Sequence, residues 1–576
     1  MVSYVWDELH CDQERSGELA RQLGVDPLLA RLLCLRGVDT PEAAWRFLNP
    51  SLDQLHDPMR LTGMAVAVDR LLAAVARHER IAIHGDYDVD GITSTVILRR
   101  TLELLGGDVC HFVPERIRDG YGLNTPAIER LHAEGVSVIV SVDCGIRGME
   151  AGRRARELGV DLIITDHHEP DAAELPDALA VINPKQRGCD YPDKNLAGVG
   201  VALKLVQALC GRTQNDRWLS AFIKIAALGT LADVVPLIGE NRVIAKLGLE
   251  ALSRGPHKVG LRALLDASGL SGRPIDSYHV AFMIAPRVNA AGRMSTPDIA
   301  MRLLLASDEA MLSEARDLAE QLNRENERRQ LEERGIVAQA KKIVEGDPDI
   351  GARSLLVVAG EGWHRGVIGI VASKLVDAFH RPAIVISIDG DTAHGSCRSI
   401  PGFDMLAALE AHAGHLEKFG GHRVAAGLTM ESARIKAFRS AITLWADQRL
   451  GPDDLRPRLR LDAPIRFRDI RPELVEALTR LAPFGAGNAK PLFHAHGLTV
   501  ADGPRTLKER HLSLSVRQDG VAFRGVFWRG AERADLIAAN RGGLDAAFSI
   551  EQNTFNGTTR TEISLADVKA GGTQQP

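Results

Sequence analysis

Residues 81–91 read IAIHGDYDVDG, an apolar, β-branched run that stops at one histidine and three aspartates closed by a glycine. Carboxylates packed this closely repel one another unless a cation sits among them. An acidic turn exposed to water is the other reading, because charge runs are usually solvated. The pattern recurs, however: residues 138–142 lead into Asp143-Cys144-Gly145, and 162–165 into Asp166-His167-His168. A helical stretch at 218–228 then runs into GTLADVVPL and supplies Asp233, flanked by Ala232, Val234 and Val235, where an unpaired carboxylate is expensive to bury. Turn chemistry accounts for any one of these clusters. Their repetition points instead to a shared site built from His84, Asp88, Asp90, Asp143, His167, His168 and Asp233. Carboxylates suit Mg²⁺ and Mn²⁺, the imidazoles tilt the balance toward Mn²⁺, and the lack of cysteine ligands disfavours a structural zinc. Four aspartates suffice for two cations sharing one bridging carboxylate. Such a pair, about 3.5 to 4 Å apart, clamps the attacking and leaving oxygens of a phosphoryl transfer.

Elements must bring these residues together across some hundred and fifty positions. From about residue 64 helices and strands alternate, with strands expected at 80–84, 109–113, 136–142, 161–165 and 179–182 and helices such as 93–105 and 148–158 between them. That alternation implies a parallel sheet covered on both faces. In open sheets of this kind ligands meet the carboxyl edge, which is where the acidic clusters fall. Residues up to about 60 look helical, with Asp26-Pro27 and Thr40-Pro41 as helix starts.

The totals narrow the class. A chain of 576 residues has room for three or four domains with real cores. Its net charge of -5 rules out a coat of positive charge but permits a local basic groove. Seven cysteines, with no CxxC pair, suggest a reducing cytoplasm and a cytoplasmic protein. The start, MVSYVWDELH, lacks the basic and then apolar pattern of a signal peptide, and no apolar run is long enough to cross a bilayer.

The triplet Asp166-His167-His168 resembles the signature of the DHH phosphoesterases, and HGDYDVDG, VDCG and LADVVPL are similar to the companion motifs in the same order. IAPRVNAAGRM (284–294), EGWHRGVIGIVASKL (361–375), HGSCRS (394–399), KFGGHRVAAGL (418–428) and LAPFGAGNAKPLF (481–493) then resemble the bacterial RecJ family of single-stranded-DNA exonucleases. Arg423 and Ala486 depart from the expected side chains. The resemblance implies a metal-dependent 5′→3′ exonuclease that releases 5′-mononucleotides from single-stranded DNA in recombination and repair, with two Mn²⁺ or Mg²⁺ ions. It implies metal ligation by His84, Asp88, Asp90, Asp143, His167 and Asp233, with Asp143 as bridge and His84 the least secure member. Catalytic roles fall to Asp143, Asp166 and His168, the last touching the substrate phosphate. Asp86 matches no ligand and reads as an outer neighbour. Contacts with single-strand-binding protein and a helicase are further implications.

The implied fold class is α/β: a parallel-sheet DHH domain and an α/β DHH-associated lobe joined by a long helix, followed by a C-terminal OB-fold β-barrel. The boundaries expected are 1–60 for an N-terminal helical segment, 61–260 for the DHH domain, 261–346 for the connector, 347–452 for the second lobe and 453–576 for the barrel. Residues 307–345 carry helically spaced apolar positions among charged pairs, as a bridging helix does. In the second lobe, strands are expected at 355–358 and 383–388 with polar glycine-rich loops after each. Gly420 and Gly421 either admit an anion to backbone amides beside His422 or form a plain tight turn. Ser396 and Arg398 suit a 5′-terminal phosphate, with Arg116 completing the pocket and Arg287, Asn289 and Arg293 lining the channel; surface salt bridges are the alternative. In the tail, alternating strands at 511–516, 521–528 and 544–550 and turns at Gln518-Asp519-Gly520 and Asn556-Gly557 suggest a small barrel. Lys508, Arg510, Arg517, Arg524 and Arg529 supply charge there, while Phe523, Phe527 and Trp528 either stack on bases or fill the core. Two other classes stay open on the residues alone. One is a phosphodiesterase for short oligonucleotides or cyclic dinucleotides, for which a strand-binding tail has no use; the other is a strand-binding factor with a dead site.

Overall fold

The computed structural model describes residues 4–115, 118–120, 122–171, 174–215, 217–555 and 557–571. Arg116 and Asn556 lie outside them. The chain divides into two compact units: a larger one, Pro50–Leu450 with Gly485–Gly487, and a smaller one, Met1–Asn49 with Gly451–Phe484 and Asn488–Pro576.

In the larger unit, β1 (Arg80–His84), β2 (Asp108–Phe112), β3 (Val138–Val142), β4 (Asp161–Thr165) and β5 (Ala180–Ile182) form a parallel sheet in the order β2-β1-β3-β4-β5. Ile81, Ala82, Ile83, Val138, Ile139 and Val140 are fully buried, as strands covered on both faces require. His84 pairs with Ser141 and Val142 with Thr165, so the polar residues that follow β1, β3 and β4 emerge side by side. Strand order reverses across β1 and β3, the switch point where such sheets open a crevice.

The helix after β1, α1 (Val89–Leu104), starts earlier than the expected residue 93 because Asp88 caps it, accepting from the Gly91 amide at 3.1 Å. Apolar periodicity could not reveal this first turn, where Asp90 and Gly91 are buried between Val89 and Ile92. Around α1 pack α2 (Gly198–Thr213) and α3 (Arg217–Ala232), followed by α4 (Gly239–Arg254) and α5 (Ala285–Met294). The bridging helix is α6 (Leu312–Gly346), 35 residues long. Ala315, Leu318, Ala319 and Leu322 join the core of the first sheet, whereas Ile336, Ala340 and Val344 join the core of the second lobe.

That lobe holds β6 (Leu356–Glu361), α7 (Ile368–Phe379), β7 (Ala383–Asp389), β8 (Thr392–Arg398), β9 (Lys418–Gly421) and β10 (Ala425–Glu431), its sheet running β9-β10-β8-β7-β6. The polar loops expected after β7 correct to strands β8 and β9. Small and polar residues hid them, and their stability comes from ladders such as Cys397 with Ala426 and Gly420 with Gly427.

In the smaller unit, helices Pro27–Cys34 and Pro41–Leu48 start at the expected caps, Asp26 and Thr40. They share a core with the barrel residues Phe493, Leu544 and Phe548. The strand Val5–Glu8 pairs in parallel with Arg458–Leu461. The barrel strands are β11 (Phe493–Leu507), β12 (His511–Gln518), β13 (Val521–Phe527), β14 (Leu544–Phe555) and β15 (Thr558–Ala570). They run β11-β12-β13-β15-β14, and β14 closes on β11. Gly497, Gly503 and Pro504 masked β11 in the sequence, and the ladder shifts register in that region. Among the described residues no helix is long and apolar enough to cross a membrane.

Candidate metal centre

The first anchor is Asp166, at the end of β4. Its carboxylate accepts hydrogen bonds from the amides of Ile146 (3.0 Å), His167 (2.7 Å) and His168 (3.0 Å) and lies 2.8 Å from His168 Nδ1. Burial presses its pKa upward, but the bond to His168, its charge and those amides outweigh burial and hold the carboxyl below its ordinary value. The partner responds in kind: burial lowers His168, and Asp166 more than reverses that, so the imidazole titrates above its usual range. With Nδ1 engaged, Nε2 is the nitrogen left for a ligand.

Around this anchor the acids converge. His167 Nε2 lies 3.2 Å from Asp143 Oδ1, 3.6 Å from Asp233 Oδ2 and 4.0 Å from Asp90 Oδ2. Donor atoms gather in three groups, Asp143 with His167 and His168, Asp90 with His167 and Asp233, and Asp86 with Asp88 and Asp143, each spanning no more than 4.8 Å. Asp143 therefore belongs to two groups, and it is turned toward them by a backbone φ of 59°, a conformation an aspartate seldom adopts. Asp86, expected outside the ligands, has an oxygen in the same cluster as Asp88 and Asp143.

These carboxylates are uncomfortable as they stand. Burial first, and then the charges of Asp233 and Asp88, push Asp90 well above the ordinary range; burial and the charges of Asp90, Asp88, Asp86 and Asp166 do the same to Asp143. Asp88 is raised by burial and Asp233, and Arg293 opposes the shift. His167 falls to about 4, through burial and the neighbouring His168, so its ring is neutral and its lone pair free for a metal. Asp233 Oδ2 is buried without a hydrogen-bond partner. Hard-oxygen donors, a neutral imidazole and an orphaned carboxylate oxygen together fit divalent cations.

His84 stands apart. It is buried, its pKa falls to about 4 through desolvation, its Nδ1 lies 3.6 Å from Cys144 Sγ and its ring 5.3 Å from Phe112. It joins none of the three groups, and its Nε2 has no hydrogen-bond partner.

Backbone geometry holds the acids in place. The amides of Gly198 and Val199, at the start of α2, each donate to Asp90 at 2.7 Å. A Cβ on Gly198 would fall 2.3 Å from Asp143 Oδ1, so only glycine lets α2 approach this closely. Asn241, fully buried, donates to the carbonyls of Asn195 (2.5 Å) and Pro236 (3.1 Å) and accepts from the Ala197 amide (3.3 Å). It thus ties the segment leading into Gly198 to the one that follows Asp233. Neither contact carries a sequence signal, because glycine and asparagine at helix starts are commonplace.

The residues expected to meet nucleic acid distribute unevenly. Asn289 Oδ1 accepts from the Val89 amide at 3.1 Å and so braces the loop of Asp88. Arg287 is half-buried and turned toward Asn323 and the Met283 carbonyl. Arg293 donates to the Gly366 carbonyl at 3.2 Å. Ser396 and Arg398 share a face of β8 and meet the first turn of α7, where a Cβ on Gly369 would lie 3.0 Å from Ser396 Oγ and 3.3 Å from Arg398 Nη2. Gly420 and Gly421 lie in β9, and Gly421 is needed because a Cβ there would come within 2.5 Å of the Ala425 carbonyl. His422 is lowered by burial and then by the charges of Arg147, His168 and Lys185, residues that follow β3, β4 and β5.

Residues 80–230 match the DHH family, N-terminal domain, 352–448 the DHHA1 domain and 461–567 the RecJ OB domain. A relative named single-stranded-DNA-specific exonuclease RecJ, from Bacillus subtilis, is 38% identical over 98% of this chain and 70% of its own length. A relative of the same name from Escherichia coli is 34% identical over 94% of this chain and 96% of its own. The RecJ of Thermus thermophilus in complex with Mn²⁺ superposes with a TM-score of 0.83 at 32% identity, covering 98% of this chain and 79% of the other; its complex with Mg²⁺ gives 0.77.

Proposed function

Because the chain belongs to the RecJ family, we propose that it is a metal-dependent exonuclease that degrades single-stranded DNA from the 5′ end and releases 5′-mononucleotides. The observation that carries this reading is the meeting of Asp88, Asp90, Asp143, His167 and Asp233 at the carboxyl edge of one sheet, with Asp143 in two of the three donor groups. These residues would hold two divalent cations, Mn²⁺ or Mg²⁺, and the orphaned Nε2 makes His84 a further ligand candidate. Bound there, such a pair supplies Lewis acidity and an activated water for phosphodiester hydrolysis.

The protein's own groups do the rest. Asp166 fixes the ring of His168 and favours its charged form, so Nε2 can donate to a non-bridging phosphate oxygen as negative charge develops. Asp90 is held by the α2 amides, which keeps a ligand oxygen from rotating away. Ser396 and Arg398, beside the first turn of α7, would receive the 5′-terminal phosphate, and His422 would add a polar contact from the second lobe. Selection of a chain end follows from such a phosphate pocket.

We further infer a division of labour along the boundaries 61–260 for chemistry, 261–346 for connection, 347–452 for holding the substrate and 453–576 for strand binding. A cytoplasmic setting, a part in recombination and repair, and contacts with single-strand-binding protein and a helicase belong to the same reading. Digestion of end-labelled single strands with Mn²⁺ tests it. Loss of nucleotides from the 5′ end is expected; attack from the 3′ end, or equal attack on blunt duplex, overturns it.

A further inference from the structure

Two amides at the start of α2 hold Asp90, and a polar cluster further along that helix, remote from the acids, takes no part in the chemistry described so far. Lys204, six residues beyond Gly198 and so roughly 9 Å along the axis, is fully buried, as are Tyr191 and Glu240. Lys204 Nζ donates to Glu240 Oε1 at 2.9 Å and to the His56 carbonyl at 2.5 Å. The Tyr191 hydroxyl donates to Glu240 Oε2 at 2.5 Å, and the His56 amide donates to Oε1 at 2.9 Å. Both oxygens of Glu240, in the first turn of α4, are therefore engaged by three separate segments: that of His56, the one joining β5 to α2, and α2 itself. Burial pulls the Lys204 ammonium below its usual range and Glu240 opposes the shift; burial and then Glu240 push the Tyr191 phenol far up, so it stays a donor.

Hydrogen bonds carry this cluster to the metal centre. The Glu240 amide donates to Asp193 Oδ2 at 2.8 Å, and the Asn195 amide donates to Asp193 Oδ1 at 2.9 Å. Asn241, next along α4, donates to the Asn195 carbonyl and accepts from the Ala197 amide. The first turn of α4 thus grips residues 193–197, immediately before the two amides on Asp90, and through Lys204 it grips α2 again further on. An ion pair taken wholly out of water seldom adds net stability over apolar side chains of like volume. What it adds is direction, since only one placement of α2 along α4 satisfies every donor and acceptor.

We propose that Lys204, Glu240 and Tyr191 are positioning residues of the metal centre: their buried cluster sets α2 at the height from which the Gly198 and Val199 amides reach Asp90. The assignment rests on the exonuclease reading and deepens its metal site. Stability and position can be separated by exchanging the whole cluster for apolar side chains. Tyr191→Phe, Lys204→Met and Glu240→Leu combined in the full chain remove both charges and the phenol together, so none of the three is left unpaired. Without metal this variant should melt near the wild type, yet titration calorimetry should show Mn²⁺ bound at least about tenfold more weakly. Its kcat should fall while KM for single strands changes little. Tyr191→Phe alone, which keeps the ion pair, should fold and weaken Mn²⁺ binding about threefold. Leu71→Ala, in the same core, should lower the melting temperature and leave Mn²⁺ affinity unchanged. Wild-type Mn²⁺ affinity in the triple variant or in Tyr191→Phe overturns the proposal, and so does an equal loss of affinity in Leu71→Ala. A wild-type chain that binds no Mn²⁺ removes the metal site and the proposal with it, whereas failure on single strands with Mn²⁺ bound strikes the exonuclease reading alone.

Discussion

Asp143 is the residue whose removal is most informative. Replacing its carboxylate by Asn or Ala relieves a buried repulsion in the metal-free protein while deleting the group shared by two donor sets. Turnover should fall by about a thousandfold or more. The metal-free protein should melt no lower than the wild type, and the rise in melting temperature with added Mn²⁺ should be lost. A large fall in metal-free stability would mean that Asp143 serves the core. Asn289→Ala is expected to cost about 1 kcal/mol, since the Val89 amide loses its acceptor at the start of α1, and to weaken Mn²⁺ binding with little change in KM for DNA. Isothermal titration separates the two effects. At this scale the sequence was legible wherever a side chain's type announced its chemistry: clustered Asp and His are costly without a metal. Asp86, whose oxygen sits among the ligands, and Asn289, whose amide faces backward onto the acidic loop, were not legible, because their roles depend on direction.

The elements explain why. β1, β3 and β4 were found because buried parallel strands are written in β-branched residues, and their endings marked the site. α2 left no such mark, although its first two amides hold Asp90 and its glycine makes room for Asp143. Gly198→Ala should therefore displace the shared carboxylate and reduce Mn²⁺ affinity by at least about tenfold, an effect read by titration of the metal. Asn241→Ala, which unties the segments before Gly198 and after Asp233, should lower kcat more than it raises KM. Strands β8 and β9 escaped prediction because the residues Gly, Ser and Cys lack strand propensity, and only their partners across the ladder give them shape.

For the molecule as a whole, two compact units imply two separate unfolding events. Calorimetry should resolve two transitions, and Mn²⁺ should raise only the one that belongs to the larger unit. A single transition that shifts as one would show that the units fold cooperatively. The resemblance of the motifs supplied the architecture, while propensity alone would have missed the first barrel strand, whose glycines and proline read as loop. Within the larger unit, α6 is anchored in one core by Leu318 and Leu322 and in the other by Ile336 and Val344, with polar turns between, of which Asn326 is buried. It behaves as a ruler graduated in residues: seven added to its polar stretch would lengthen it by roughly 10 Å and turn its far end by only about 20°, whereas two would swing that end nearly to the opposite side. Homologues of different helix length should thus differ by near-heptad steps, the increments that keep both ends in phase.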